Sequence, residues 1–97
     1  EIEDGTRAAQ MAGLNIIAQI KTALEGDFDR LVQIVRLNGF VNSTPEFTHH
    51  PAVINGASEL MHDVFEARGV HSRIAVGVAS LPMNWAVEID AVVEVAE

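Results

Sequence analysis

The chain has no cysteine among its 97 residues. That excludes a disulfide framework, a thiolate nucleophile and a cysteine-built zinc site, and it favours a cytoplasmic setting. Basic residues are few: six Lys and Arg stand against fourteen Asp and Glu, a formal net charge of −8. An acidic chain repels phosphate backbones, and Arg30, Arg36, Arg68 and Arg73 form no basic stripe, so no nucleic-acid partner is expected. No apolar run approaches the ~20 residues that span a bilayer, and no signal peptide is visible, so no membrane partner is expected either.

What is present points to one packed domain. Hydrophobic residues make up 48% of the sequence, too many for a disordered segment. At this length folding buries roughly 60–65% of the chain's surface, which leaves a lone chain only modestly stable. Asp4 to Leu24 reads as an amphipathic helix, with Ala9, Ala12, Ile16, Ile20 and Leu24 at spacings of three and four. Asp4 suits its N-cap and Gly26 a left-handed terminus, and the thin face of Ala9, Ala12 and Gly13 suits close packing on a sheet. Phe28 to Val41 reads as a strand with apolar residues on both parities, hence buried on both faces. A second helix is expected from about Pro51 to Arg68, with Ile54, Ala57, Met61, Val64 and Phe65 as its core stripe. The end reads as a β-hairpin, Arg73 to Ala79 and Trp85 to Val95, joined by Leu81-Pro82-Met83-Asn84, with Trp85 in the core. The element order is α-β-α-β-β, an α+β class with a sheet packed on two helices.

The hairpin sets out the candidate chemistry. If Ser80 pairs with Trp85, then Arg73, Ala75, Gly77 and Ala79 share a sheet face with Glu88, Asp90 and Glu94. One arginine above a shelf of Ala and Gly suits a small carboxylate, which a guanidinium binds bidentately, and Glu88 is then a candidate base for a water beside it. The same spacing also fits an ordinary salt bridge between Arg73 and a nearby acid. Asn55-Gly56 is locally unfavourable in a helix, so Gly56 serves a tight contact, or Asn55 reaches a ligand or neighbouring chain, or the pair is an accidental weak spot. His49, His50, His62 and His71 match no familiar metal-ligand spacing and read as solvated loop side chains, so no metal is expected.

The run SRIAVGVASLPMNWAVEIDAVVEV, Ser72 to Val95, resembles the C-terminal signature of the RidA/YjgF family. Its elements are Arg73, a small-and-apolar strand, Leu81-Pro82, and Val87-Glu88-Ile89-Asp90-Ala91. The upstream run GFVNSTPEFTHHPAVINGASELMHDVF, Gly39 to Phe65, is similar to a branch of that family described as endoribonuclease or chorismate-mutase-like. The resemblance implies a chorismate-mutase-like α+β fold, a homotrimer with ligand clefts between subunits, and hydrolysis of reactive enamines and imines to keto acids and ammonia without metal or organic cofactor. It places the family's carboxylate-binding Arg on Arg73, its water-associated Glu on Glu88, and a helix Asn near the cleft on Asn55. A Cys two residues after the Arg is replaced by Ala75. The family's β-hairpin before the first helix has no counterpart, so residues 1–97 are expected to form one N-terminally incomplete domain. A non-catalytic trimer that binds or senses small carboxylates is the alternative. The ribonuclease label conflicts with the charge of −8, and chorismate-mutase activity would rest on fold analogy alone.

Overall fold

The computed structural model describes residues 2–97. Helix α1 runs Ile2–Ala23, strand β1 Leu31–Asn42, helix α2 His50–Phe65, strand β2 Ser72–Val78 and strand β3 Val87–Val95. The α+β class and the element order are as expected. Gly26 does take a left-handed φ, of 85°. Asp4 is not a cap; it lies in the first turn of α1 and pairs with Arg7. Phe28–Arg30 form a short 3-10 turn, capped by the Asp27 carboxylate on the Asp29 amide. Among the described residues no helix is long and apolar enough to cross a membrane.

The sheet order is β2-β1-β3, so the last two strands are not a hairpin. β1 lies between them, parallel to β2 and antiparallel to β3. Two causes act together. The β1–α2–β2 stretch is long enough for a parallel crossover, which seats β2 on one edge of β1. The connection after β2 is then no tight turn: Met83 and Asn84 both take left-handed φ, and the chain passes the end of β1 to its other edge. Asn42 holds that passage. Its backbone amide donates to the Ala86 carbonyl and its side-chain amide to the Trp85 carbonyl and Asn84 Oδ1. Regular alternation therefore begins at Val87, and Trp85, expected in the core, is 61% exposed.

β1 is buried on one face only. Register shifts between Leu31 and Gln33, and between Ile34 and Arg36, each add a residue. A bulge of this kind places two residues opposite one and resets the alternation. As a result Leu31, Ile34, Leu37, Gly39 and Val41 all face the helices, while Val32 and Val35 are exposed. Ile54, Met61 and Phe65 of α2 and Ile20 and Leu24 close the core over them.

The helices form one layer on that face. On the thin side of α1, Gly13 lies against α2, while Ala12 lines clefts beside β3. A Cβ on Gly13 would come 3.3 Å from the Ala57 Cα, and one on Gly56 would come 2.1 Å from the Thr6 carbonyl oxygen. Gly56 thus serves the helix contact, the first of its three sequence readings. Gly56→Ala is expected to cost at least about 2 kcal/mol, because a rigid backbone carbonyl must move. Urea unfolding measures it, and an unchanged midpoint would show that the helices do not meet there.

Candidate functional site

β2 is an edge strand, and its two ends carry two clefts. Pairing through Leu37 and Gly39 puts Arg73, Ala75 and Gly77 on the helix-facing side, level with Ala91, Ile89 and Val87. Glu88 is level with Phe40 and Val76, and Asp90 with Asn38 and Ile74, all on the opposite face. The expectation that Arg73 and Glu88 share a face is therefore corrected. It was built on a hairpin pairing, and with β1 inserted the parity between β2 and β3 changes. Three residue steps and two strand spacings separate them, roughly 14 Å, on opposite sides of the sheet.

The first cleft, about 320 Å³, is lined by Asn55, Ser58, His62, Gly69, Val70, His71 and Arg73. Asn55, Ser58 and His62 are three and four residues apart and so line up along one side of α2. The 3-10 turn Glu66–Gly69 then returns the chain, bringing His71 and Arg73 beside them. Arg73 Nη1 donates to Ser58 Oγ at 3.0 Å, and Nη2 lies 3.5 Å from the Pro51 carbonyl. Ser58 Oγ is 2.9 Å from His71 Nε2, and His71 Nδ1 is 2.6 Å from the Gly69 carbonyl. Arg73 is half-buried. Among the described residues the one ion pair is Arg7 with Asp4, so Arg73 has no salt bridge. The cleft lining carries no carboxylate, which makes it a locally basic spot on an acidic chain.

Asn55 and Arg73, matched separately from sequence, are thus brought together, and Glu88 is not. Ser58 was missed and His71 was set aside as a loop histidine. The signal for both is spacing: Asn55-x-x-Ser58 on a helix and His71-x-Arg73 entering a strand each put their pair on one side. Of the four histidines, His49 and His62 are exposed, while His50 and His71 are half-buried and hydrogen-bonded.

The second cleft, about 590 Å³, lies at the far end of β2 among Asn42, Ser43, Phe47, His50, Gly77 and Ala79. The His50 ring packs edge-on to Phe47 and its Nε2 is 3.3 Å from Ser43 Oγ. A Cβ on Gly77 would come within 2.6 Å of both His50 and Ser43, so the absent side chain is room for the imidazole.

The other face of the sheet has no cover among the described residues. Val35, Ile74, Val76 and Val92 are each 40–52% exposed there. Beside them Arg36 Nε donates to Asn38 Oδ1, and Asn38 Nδ2 to Asp90.

Residues 1–95 match the family model described as "YjgF/chorismate_mutase-like, putative endoribonuclease". The chain is similar to Protein TCP17 of Trypanosoma cruzi, 50% identical over 94 residues, 96% of this chain and 58% of that protein. Among solved structures it is similar to Atu1372 of Agrobacterium tumefaciens, described as of unknown function, with TM-score 0.98 and 48% identity, covering 100% of this chain and 62% of the other. A structure from Shewanella oneidensis MR-1, described as an endoribonuclease in the same terms as the family, superposes with TM-score 0.92 at 34% identity, covering 98% of this chain and 62% of the other. The chain therefore spans about three-fifths of the length of each of these relatives.

Proposed function

This chain belongs to the YjgF/chorismate-mutase-like family, and from that premise we propose that it hydrolyses reactive enamine and imine acids to keto acids and ammonia in a cleft between the subunits of a homotrimer. The observation that carries this is Arg73: a half-buried guanidinium with no carboxylate partner, beside Asn55, in a cleft without an acid. Such a group has donors to spare for a bidentate carboxylate. Asn55 adds a polar contact. An iminium carbon is already electrophilic, so orientation and proton transfer suffice for water to attack it. Overall, C=NH and H2O give C=O and NH3.

Glu88 is the proposed base, and a neighbouring subunit would supply it. Its face carries the exposed Val35, Ile74, Val76 and Val92, a patch of the kind that marks association. Arg73 sits at the β2 edge of the sheet. A second copy packed over the open face and across that edge would bring its Glu88 to this cleft. Ala75 and Gly77 face the helices, so the valines and isoleucine of the opposite face are the surface on which a trimer would form.

One observation favours a second reading. Among the described residues no carboxylate lines the Arg73 cleft, which suits a trimer that binds or senses small carboxylates without turning them over. The test is keto-acid and ammonia release from a freshly generated imine, with light scattering on the same sample. A trimer that accelerates release supports the enzyme. An intact trimer that binds 2-ketobutyrate without turnover supports the binder, and a clean monomer at micromolar concentration removes the shared cleft.

A further inference from the structure

The Arg73 cleft contains a hydrogen-bond chain whose direction follows from chemistry. A carbonyl oxygen only accepts, so at 2.6 Å from Gly69 the His71 Nδ1 must carry the hydrogen. In the neutral ring Nε2 is then a bare acceptor, and the Ser58 hydroxyl donates to it across 2.9 Å. The Ser58 oxygen in turn accepts from Arg73 Nη1 at 3.0 Å. With His71 neutral, the Ser58 proton is directed away from the cleft. When His71 is protonated, Nε2 becomes a donor to Ser58, and the hydroxyl hydrogen is released to whatever lies in the cleft.

We infer that Ser58 is a ligand-contacting donor of the Arg73 cleft and that His71 is the residue positioning its hydroxyl, so that the cleft takes a 2-oxo or 2-imino acid together with one proton. Arg73 holds the carboxylate, and Ser58 donates to the oxygen or nitrogen on the adjacent carbon. The inference rests on the carboxylate reading of Arg73 and adds the groups that recognise the rest of the ligand. Ser58 is not a nucleophile here. It sits inside α2, where neighbouring amides are taken up by the helix, and no pair of backbone N–H groups is left to hold an oxyanion. Within the chain the other charged or titratable groups of the cleft are Arg73 on β2 and His62 on α2, and the proposed trimer adds the Glu88 of a neighbouring copy. Arg68, on the turn between them, is directed away, donating to the Phe28 and Leu31 carbonyls.

The sign of the proton linkage follows. A ligand that binds together with one proton binds more tightly at low pH and weakens as pH rises, by up to about tenfold per pH unit. The carboxylate of a 2-oxo acid is ionised throughout and contributes nothing to that slope.

Two measurements test this. The first needs no ligand: long-range 1H–15N NMR of the 15N-labelled protein at pH 8 should show His71 with hydrogen on Nδ1 and a bare Nε2. The opposite tautomer, or an average of the two, overturns the chain of bonds whatever Arg73 does. The second is calorimetry with 2-oxobutyrate from pH 5.5 to 8. Affinity of the wild type should fall with pH, and His71→Gln and Ser58→Ala should each flatten the curve, while His62→Gln should keep it. A preference for 2-oxobutyrate over butyrate at pH 6, roughly tenfold, should vanish in Ser58→Ala. Binding that is independent of pH in the wild type, or a slope that is lost with His62→Gln instead, overturns the Ser58–His71 role and leaves the carboxylate site standing. Absence of binding by the wild type overturns the carboxylate reading, and the ligand role of Ser58 falls with it.

Discussion

Arg73→Ala is expected to lower affinity for 2-ketobutyrate by about 30-fold to 1000-fold, the loss of a bidentate charged contact worth about 2–4 kcal/mol. The fold should survive. The side chain's own partners are a serine hydroxyl and a helix carbonyl near the surface, and no buried carboxylate is left unpaired when it goes. Arg73→Lys separates charge from shape: it keeps the cation and loses the planar fork, so affinity should fall between the two. Calorimetry on proteins with matched unfolding midpoints reads the effect. Equal affinity in Arg73→Ala would take this residue out of the site, and the absent salt bridge would then need another explanation.

The larger effect is expected at Glu88. Glu88→Gln keeps the shape and removes the base, and turnover should fall by about 10²–10⁴-fold with ligand affinity nearly unchanged. The two residues lie on opposite faces of one sheet, so the proposal demands that they act across subunits. That demand has its own signature. Arg73→Ala and Glu88→Gln chains, each inactive alone, should regain activity when unfolded together and reassembled. Each mixed trimer contains one boundary in three at which an intact Arg73 meets an intact Glu88, about a quarter of all boundaries under random assortment of equal amounts. Intact mixed trimers with no recovered activity would rule out a site shared in this way. Unchanged turnover in Glu88→Gln alone would show that Glu88 is not the base.

Much of the fold could be read from residue patterns, and the exceptions have definite causes. Ile16, Ile20 and Leu24, or Ile54, Met61 and Phe65, repeat at a helical period over enough turns to leave little choice of element. The two bulges in β1 are different. Their effect is to move Ile34 and Leu37, three residues apart, to the same face, and no single residue in Leu31–Arg36 is a turn former that would announce it. The strand order failed for a related reason. Alternation from Ile74 to Val78 and from Val87 to Val95 looks the same whether the strands pair with each other or with a third between them. Only the length and backbone of the connection decide, and Met83 and Asn84 adopt left-handed φ without a glycine to signal it. From that one error followed the mistaken common face of Arg73 and Glu88 and the mistaken burial of Trp85. Arg73 and Asn55 line one cleft irrespective of where β3 goes, because β2 and α2 alone set their positions. Ser58 and His71 are joined only by the return of the chain through Glu66–Gly69, a contact that spacing hints at but does not establish.

The placement of β1 bears on how the protein acquires its structure. Its first residue, Leu31, pairs with Val95, far along the sequence, while its second half waits for Ser72 to Val78. During synthesis β1 is made before either of its neighbours and has none until Ser72 to Val95 have followed. Pairings between distant residues must close large loops before they return any stabilisation, so this sheet should be the slow step of folding, behind the helices that cover it. Until then Val32 and Val35 stand on an unpaired strand, the form in which a chain is most open to joining a wrong neighbour.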